Sequence, residues 1–304
     1  MLLFSAIMNN VGRARYLLLF ILILASTGCR TRTQEPENGT PGTYYIENKG
    51  SDTLVNLALA WAERYQQIRP DVRLAVTGGG SGTGIAAILN GTVDIANASR
   101  RISSEEISAA EQIGITPVEF VVAQDAIAVV VHLQNPIDQL TLQQISDIYS
   151  GAINNWSELG GEDRPIVRLS RETNSGTHVY FLEEVLRQGN PEDKTLFSQD
   201  TLLLPSSEGI TVEVKDNPNA IGYEGLGYIT PDMKVLAIAR SSGEAYVMPT
   251  IDTVNDDSYP ISRDLYMYTL GEPSGVVAEY MSWILSEEAQ QIVAELGFVP
   301  VRTD

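Results

Sequence analysis

Residues 73–96 read RLAVTGGGSGTGIAAILNGTVDIA, and the three segments in this stretch decide the fold. Arg73 to Thr77 is a short alternating run that reads as a strand. Gly78 to Gly84 then holds five glycines in seven residues, which suits a loop and neither a helix nor a strand interior. An apolar helix is expected to run from that loop to about Leu89. Val93 to Ala96 follows as the next strand. Strand, helix and strand in close succession imply a crossover unit, and hence an α/β fold with a mostly parallel sheet.

The pattern continues outward on both sides. Upstream, residues 44–47 read as a strand, Gly50 to Thr53 as a turn, and an amphipathic helix reaches about Gln67. Downstream, Gln124 to His132 (QDAIAVVVH) is a continuous apolar strand of the kind buried on both faces. A helix at 141–149, a strand at 166–169 and a helix from about 178 to 188 come next. Gly209 to Lys215, Ile221 to Tyr223 and Val235 to Ile238 are expected as short elements of a second lobe. Pro260 to Thr269 reads as a returning strand, and helices at 276–285 and 287–296 close the chain.

The chain has 304 residues, 43% hydrophobic and 19% charged, which fits a globular protein of two ordinary domains. Its formal net charge is −19. So acidic a chain is unsuited to nucleic acid or to anionic membrane surfaces, and it repels anions at long range. Any anion site in it must rely on local donors.

The first residues are expected to be a leader outside the fold. Arg13 and Arg15 precede Tyr16 to Leu24 (YLLLFILIL), an apolar run too short to span a bilayer. Small residues then lead to Cys29, the only cysteine. We read residues 1–28 as a signal peptide, starting at Met1 or Met8, and Cys29 as a lipid-attachment site. Residues 29–43 are polar and rich in Gly, Pro and Thr, which suits a flexible tether. Without residues 1–28 the chain carries 18 Lys and Arg against 39 Asp and Glu, a formal −21.

Four loops share one chemistry: Gly50–Thr53, Gly78–Gly84, Ala98–Arg100 and Arg171–Thr177. Ser-Gly-Thr occurs at 81–83 and again at 175–177, each time between a strand and a helix. Glycines admit an oxyanion close to the backbone, Ser and Thr add hydroxyl donors, and Arg171 adds a planar fork. Each loop alone would be an ordinary helix cap. Together they point to an oxyanion site. A P-loop lysine is absent from the glycine loop, and Thr83 occupies the second glycine position of a G-x-S-x-G elbow. His132 and His178 are the only histidines, so no metal cluster is legible. His132 is expected in the sheet and His178 at a helix start. A hydrolase built on Ser175 and His178 would lack a third partner, and we expect no enzyme and no cofactor.

At these loops the chain resembles the phosphate-binding lipoproteins of the Pst ABC transporter, type II members of the periplasmic-binding-protein superfamily. The resemblance rests on IENKGSDTL, VTGGGSGTGIAAILNGTVDIANASR, DIYSGAINNW, RETNSGTHVYF, AIGYEGLGYI and the closing LGFVPV. It implies a two-lobed fold with a ligand cleft between the lobes and two hinge crossings, near Gln124 and Asp257. Lobe 1 would comprise residues 44–124 plus 258–304, and lobe 2 residues 125–257. Carried over by motif, the phosphate ligands would be Thr53, the Leu54 amide, Ser81, Ser99, Arg171, Ser175, the Gly176 amide and Thr177. Some family members hold an aspartate, which accepts the proton of phosphate, where this chain has Ser99. Asp52 is then either a replacement acceptor or a cap of the first helix. The implied partners are inorganic phosphate, the permease subunits of an ABC transporter and a membrane reached through the lipid, with the protein itself a monomer outside the cytoplasm. The alternatives are sulfate, molybdate or tungstate in the same fold, a surface phosphoester hydrolase, and a sensory or adhesive envelope protein.

Overall fold

The structure, a computed structural model, describes residues 42–301; the leader, Cys29 and the tether through residue 41 lie outside them. Strand β1 (Tyr44–Gly50) pairs in parallel with β2 (Val72–Thr77), and helix α1 (Val55–Ile68) makes the crossover. Helix α2 (Ser81–Leu89) then leads to β3 (Ile95–Ala98), which lies parallel to β1 on its other side. The expected crossover unit is present, with β1 between its two strands. Strand β3 begins at Ile95 rather than Val93. Thr92 is tied back to α2 by its amide on the Ala87 carbonyl at 3.0 Å, and Asp94 exchanges bonds with Glu47 at 2.8 and 2.9 Å. A Cβ on Gly84 would lie 2.6 Å from both Gly50 Cα and the Lys49 carbonyl, so α2 rests directly on the β1 backbone.

The centre of the sheet departs from the expectation. Strand β4 runs sixteen residues, Pro117–His132, where the sequence reading began only at Gln124. Its first part pairs antiparallel with β11 (Ser262–Leu270), up to Ala126 opposite Ser262. Its second part pairs antiparallel with β8 (Ala220–Gly225) and β9 (Met233–Val235). Parallel pairing is confined to the flanks: β1 with its two neighbours, and β6 (Val167–Arg171) with β7 (Leu202–Leu204) and β8. The order is β2-β1-β3-β11-β4-β8-β6-β7, with β9 on β4. The sheet is therefore mixed, because its middle is built by two long-range strand returns rather than by helical crossovers.

Two large hydrophobic clusters flank this sheet. The first holds Ile46, Leu57, Trp61, Val122, Leu265 and Ile284. The second holds Ile127, Val129, Ile145, Phe181, Tyr223 and Ile238. A single strand serves both, since Ala123 packs in the first and Ala126 in the second. On the return, Tyr259 and Ile261 still belong to the second cluster and Leu265 to the first. Each fully buried Leu, Ile or Val here contributes about 1.5–3 kcal/mol.

Two helices went unread in the sequence. Helix α3 (Ser104–Gln112) opens on a capping box in which Ser103 and Glu106 bond each other's backbone amides. Helix α7 (Ile251–Asn255) follows Thr250. The helix expected at about 178–188 is α5 (Gly176–Tyr180) running into a π-helical turn, Phe181–Leu186, which buries Phe181, Val185 and Leu186. Helices α4 (Leu142–Ser150), α6 (Ser207–Asp216), α8 (Gly275–Ile284) and α9 (Glu287–Glu295) lie close to their expected places. The element expected at Val235–Ile238 is divided between β9 and β10 (Ala237–Ala239), and β10 pairs in parallel with β5 (Gln139–Thr141), a strand absent from the sequence reading. None of the helices among the described residues is long and apolar enough to cross a membrane.

Candidate functional site

The glycine-rich loops meet at the C-terminal ends of β1, β3 and β6. Thr53, Leu54, Ser81, Ser99, Arg171, Ser175, Gly176 and Thr177 are all buried. Five of them form one polar cluster. Thr53 Oγ1 lies 2.9 Å from Thr177 Oγ1. Ser81 Oγ accepts from the Ser99 amide at 2.9 Å and lies 3.2 Å from Ser99 Oγ. Gly176 closes the arrangement, because a Cβ there would stand 2.3 Å from Ser81 Oγ and 2.6 Å from Ser99 Oγ. Only a glycine lets the backbone come so near two hydroxyls. A compact set of hydroxyl groups that is shut off from water suits an acceptor-rich solute such as an oxyanion.

Leu54 and Ser175 adjoin the cluster, yet their polar groups are used locally. The Leu54 amide donates to the Ser51 carbonyl at 3.1 Å, and Ser175 Oγ caps α5 by accepting from the Thr177 amide at 3.2 Å. Arg171 is 2% exposed and tied to the loop between β7 and α6. Its guanidinium donates to the carbonyls of Leu204 and Pro205, to Ser207 Oγ and to Asp52 Oδ2. Four of its five N–H donors are thereby engaged, leaving one on Nη1. Asp52 caps neither the short 3-10 turn it opens nor α1. Its carboxylate bonds Arg171 at 3.1 Å and the Ser207 amide at 2.9 Å, so it satisfies the first free N–H of α6 from a distant loop.

Two buried charges escaped the sequence reading. Arg263, on β11, donates to the Ser99 carbonyl at 2.8 Å and lies 3.0 Å from Thr177 Oγ1 and 3.4 Å from Thr53 Oγ1. Asp125, on β4 and fully buried, accepts from Arg263 at 3.0 Å and from the Leu226 amide at 3.0 Å. Burial pushes the Asp125 carboxyl up, while the Arg263 charge and the Leu226 amide pull it back. Asp125 inside the apolar run QDAIAVVVH, and Arg263 inside ISRDLYMY, were the available signals.

A third carboxyl lies nearby. Glu224 is 1% exposed, accepts from Thr211 Oγ1 at 3.0 Å through Oε1, and bonds no protein group through Oε2. Burial raises it well above the ordinary range. His178 lies within α5 rather than capping it; Nδ1 is 3.1 Å from Ser170 Oγ and the ring packs against Phe197. Burial lowers its pKa. These contacts, Ser170 and Phe197, lie outside the cluster of Thr53, Ser81, Ser99 and Thr177, and Ser175 and His178 share no side-chain bond. His132 ends β4 and accepts from the Gln134 amide at 3.1 Å.

An open cleft of about 880 Å³ adjoins the cluster, lined in part by Arg100, Arg101, Tyr180, Glu184 and Tyr266, with Arg263 common to both.

The comparisons with known proteins agree with this architecture. Residues 33–288 match the family model of a PBP superfamily domain. The chain is 34% identical to the phosphate-binding protein PstS of Pseudomonas aeruginosa over 273 residues, covering 84% of this chain and 83% of that one. It is 32% identical to the phosphate-binding protein PstS of Bacillus subtilis, covering 83% and 79%. Among solved structures it is similar to a Clostridium perfringens chain assigned as the substrate-binding protein of a phosphate ABC transporter, with bound phosphate, at TM-score 0.75 and 34% identity over 85% of this chain and all of that one. An ABC-type phosphate transport receptor of Vibrio cholerae superposes with TM-score 0.68 at 28% identity, over 84% of this chain and all of the other. With its mixed α/β sheet and its glycine-lined polar cluster, the chain belongs to the PBP superfamily and, within it, to the family of the PstS proteins.

Proposed function

We propose that this protein captures inorganic phosphate outside the cytoplasm and presents it to the permease of an ABC transporter. The observation that carries the reading is the convergence of Thr53, Ser81, Ser99, Gly176 and Thr177, from four separate loops, into one buried cluster of donors. The ligand set is those residues with Leu54, Ser175 and Arg171. Most of its donors are neutral, which lets an acidic protein hold an anion without a large fixed positive field. Kinship with the PstS proteins supports phosphate as the solute.

The two lobes are residues 44–124 with 258–304, and residues 125–257. The two hydrophobic clusters support this division, with the second change of side falling between Ile261 and Leu265, a few residues after Asp257. Closure of the lobes buries the ligand. Cys29 carries the lipid that anchors the domain, on the strength of the leader and tether read in the sequence.

Calorimetric titration of the purified domain with phosphate, sulfate, molybdate and tungstate tests the solute. Phosphate is expected to bind most tightly. A domain that binds none of the four, or prefers another, overturns the reading.

A further inference from the structure

Arg263 is 6% exposed, and its guanidinium sits against three members of the proposed ligand set: Thr53 Oγ1, the Ser99 carbonyl and Thr177 Oγ1. The Nη groups are engaged, whereas Nε is buried and donates to no protein group. A buried N–H without an acceptor is costly, which marks it as a group held ready for one. Nε and Nη2 share one edge of the planar guanidinium, the edge that grips an oxyanion with two parallel N–H groups. On this residue, Nη2 already faces the two threonine hydroxyls.

We propose that Arg263 is a second guanidinium ligand of the bound anion, and that Asp125 behind it sets how much positive charge the anion meets. The proposal rests on the phosphate reading above and adds to it. Arg171 has one N–H uncommitted among its protein partners, so Arg263 supplies the fork that Arg171 does not. Asp125 bonds the same Nη2 that meets Thr53 and Thr177, and the Leu226 amide holds its other oxygen. The carboxylate therefore partly neutralises Arg263 at Nη2 and leaves Nε without a protein acceptor. Asp52 and Asp125 each face a guanidinium. A site built this way rejects a fully ionised oxyanion less strongly than one with an uncommitted carboxylate. Arg263 also borders the open cleft, so it is a group the incoming anion meets on that side.

The ordinary alternative is that Arg263 only compensates buried Asp125. Three variants separate the two, each checked for folding by circular dichroism melting and titrated with phosphate and sulfate. Arg263→Lys keeps the charge opposite Asp125 and removes the planar fork; phosphate affinity is expected to fall about ten- to a hundredfold. Asp125→Asn/Arg263→Gln removes the pair without leaving a buried charge and is expected to lose at least as much. Asp125→Asn alone leaves Arg263 unneutralised and is expected to raise sulfate affinity relative to phosphate. Wild-type affinity in both the lysine variant and the double variant overturns the proposal, as does an unchanged sulfate-to-phosphate ratio in Asp125→Asn. A wild-type protein that fails to bind phosphate sinks the functional reading itself, whereas binding that ignores Arg263 sinks this proposal alone.

Discussion

Asp52 Oδ2 accepts from Arg171 Nη2 at 3.1 Å, joining the first loop of the chain to the end of β6 across 119 residues of sequence. The same oxygen accepts the Ser207 amide at 2.9 Å. The carboxylate thus bridges a guanidinium and a helix start.

We predict that Asp52→Asn shifts phosphate and sulfate affinities together. Its Oδ2 is shared by Arg171 and the Ser207 amide, so its expected part is to orient Arg171 rather than to accept the proton of phosphate. Losing a charge-assisted hydrogen bond of this kind costs roughly 1.5–3 kcal/mol, expected as reduced stability to urea. Paired titrations should leave the phosphate-to-sulfate ratio within about twofold, under 0.5 kcal/mol on a scale where tenfold is about 1.4 kcal/mol. A selective loss of phosphate would make Asp52 the proton acceptor instead.

Gly176→Ala should weaken phosphate binding at least about thirtyfold while the domain still folds. The added methyl would lie 2.3 Å from Ser81 Oγ and 2.6 Å from Ser99 Oγ, displacing two donors at once. Two lost neutral hydrogen bonds at about 1 kcal/mol each correspond to roughly thirtyfold or more in affinity. Titration with phosphate beside a thermal melt of the same sample decides it. Unaltered affinity would remove Ser81 and Ser99 from the site.

Glu224→Gln should stabilise the protein in a pH-dependent way. Burial raises the folded-state pKa of Glu224 above its ordinary value of 4.5. Below that value the carboxyl is neutral in both states and makes no difference. Above it the unfolded chain ionises while the folded chain holds its proton, so rising pH favours unfolding through this group. Glutamine keeps an acceptor for Thr211 and cannot ionise. Melting temperatures of the two proteins should coincide near pH 4 and diverge toward pH 8, by about 2–4 °C per kcal/mol gained. A constant gap across that range would refute the assignment.

Cys29→Ala should release the protein from membranes and leave phosphate affinity unchanged. Fractionation of cells expressing either form, with titration of the released protein, tests it. A variant that still sediments with membranes would show that Cys29 is not the anchor.

The crossover unit at 73–96 and the four loops were legible because glycine and hydroxyl residues leave local signatures that need no partner to interpret. Ser81 and Thr177 could be chosen on such grounds. The first part of β4 was not, since Pro117 to Ala123 becomes a strand only through β11, which lies some 140 residues away in sequence. Arg263 and Asp125 were missed for a related reason. Each is a charge within a largely apolar strand, and its meaning comes from a partner on the neighbouring strand, which spacing along the chain does not reveal. The role of Asp52 was open for the same cause: cap and acceptor are both local readings, and its partners, Arg171 and Ser207, are distant.

The sharing of β4 between the two hydrophobic clusters has a consequence for the order in which the chain can mature. Ile46, Leu57 and Trp61 emerge early from the ribosome, but Leu265, Tyr280, Ile284 and Phe298, which cover them, come last. Trp61 donates to the Ala289 carbonyl at 2.9 Å, and Gln124 exchanges backbone bonds with Val299 at 2.7 and 2.9 Å. The opening third of the polypeptide therefore waits, uncovered, for the final forty residues. Nascent chains stalled before residue 260 should expose that apolar surface to chaperones, and loss of the closing helices should undo strands formed at the very beginning.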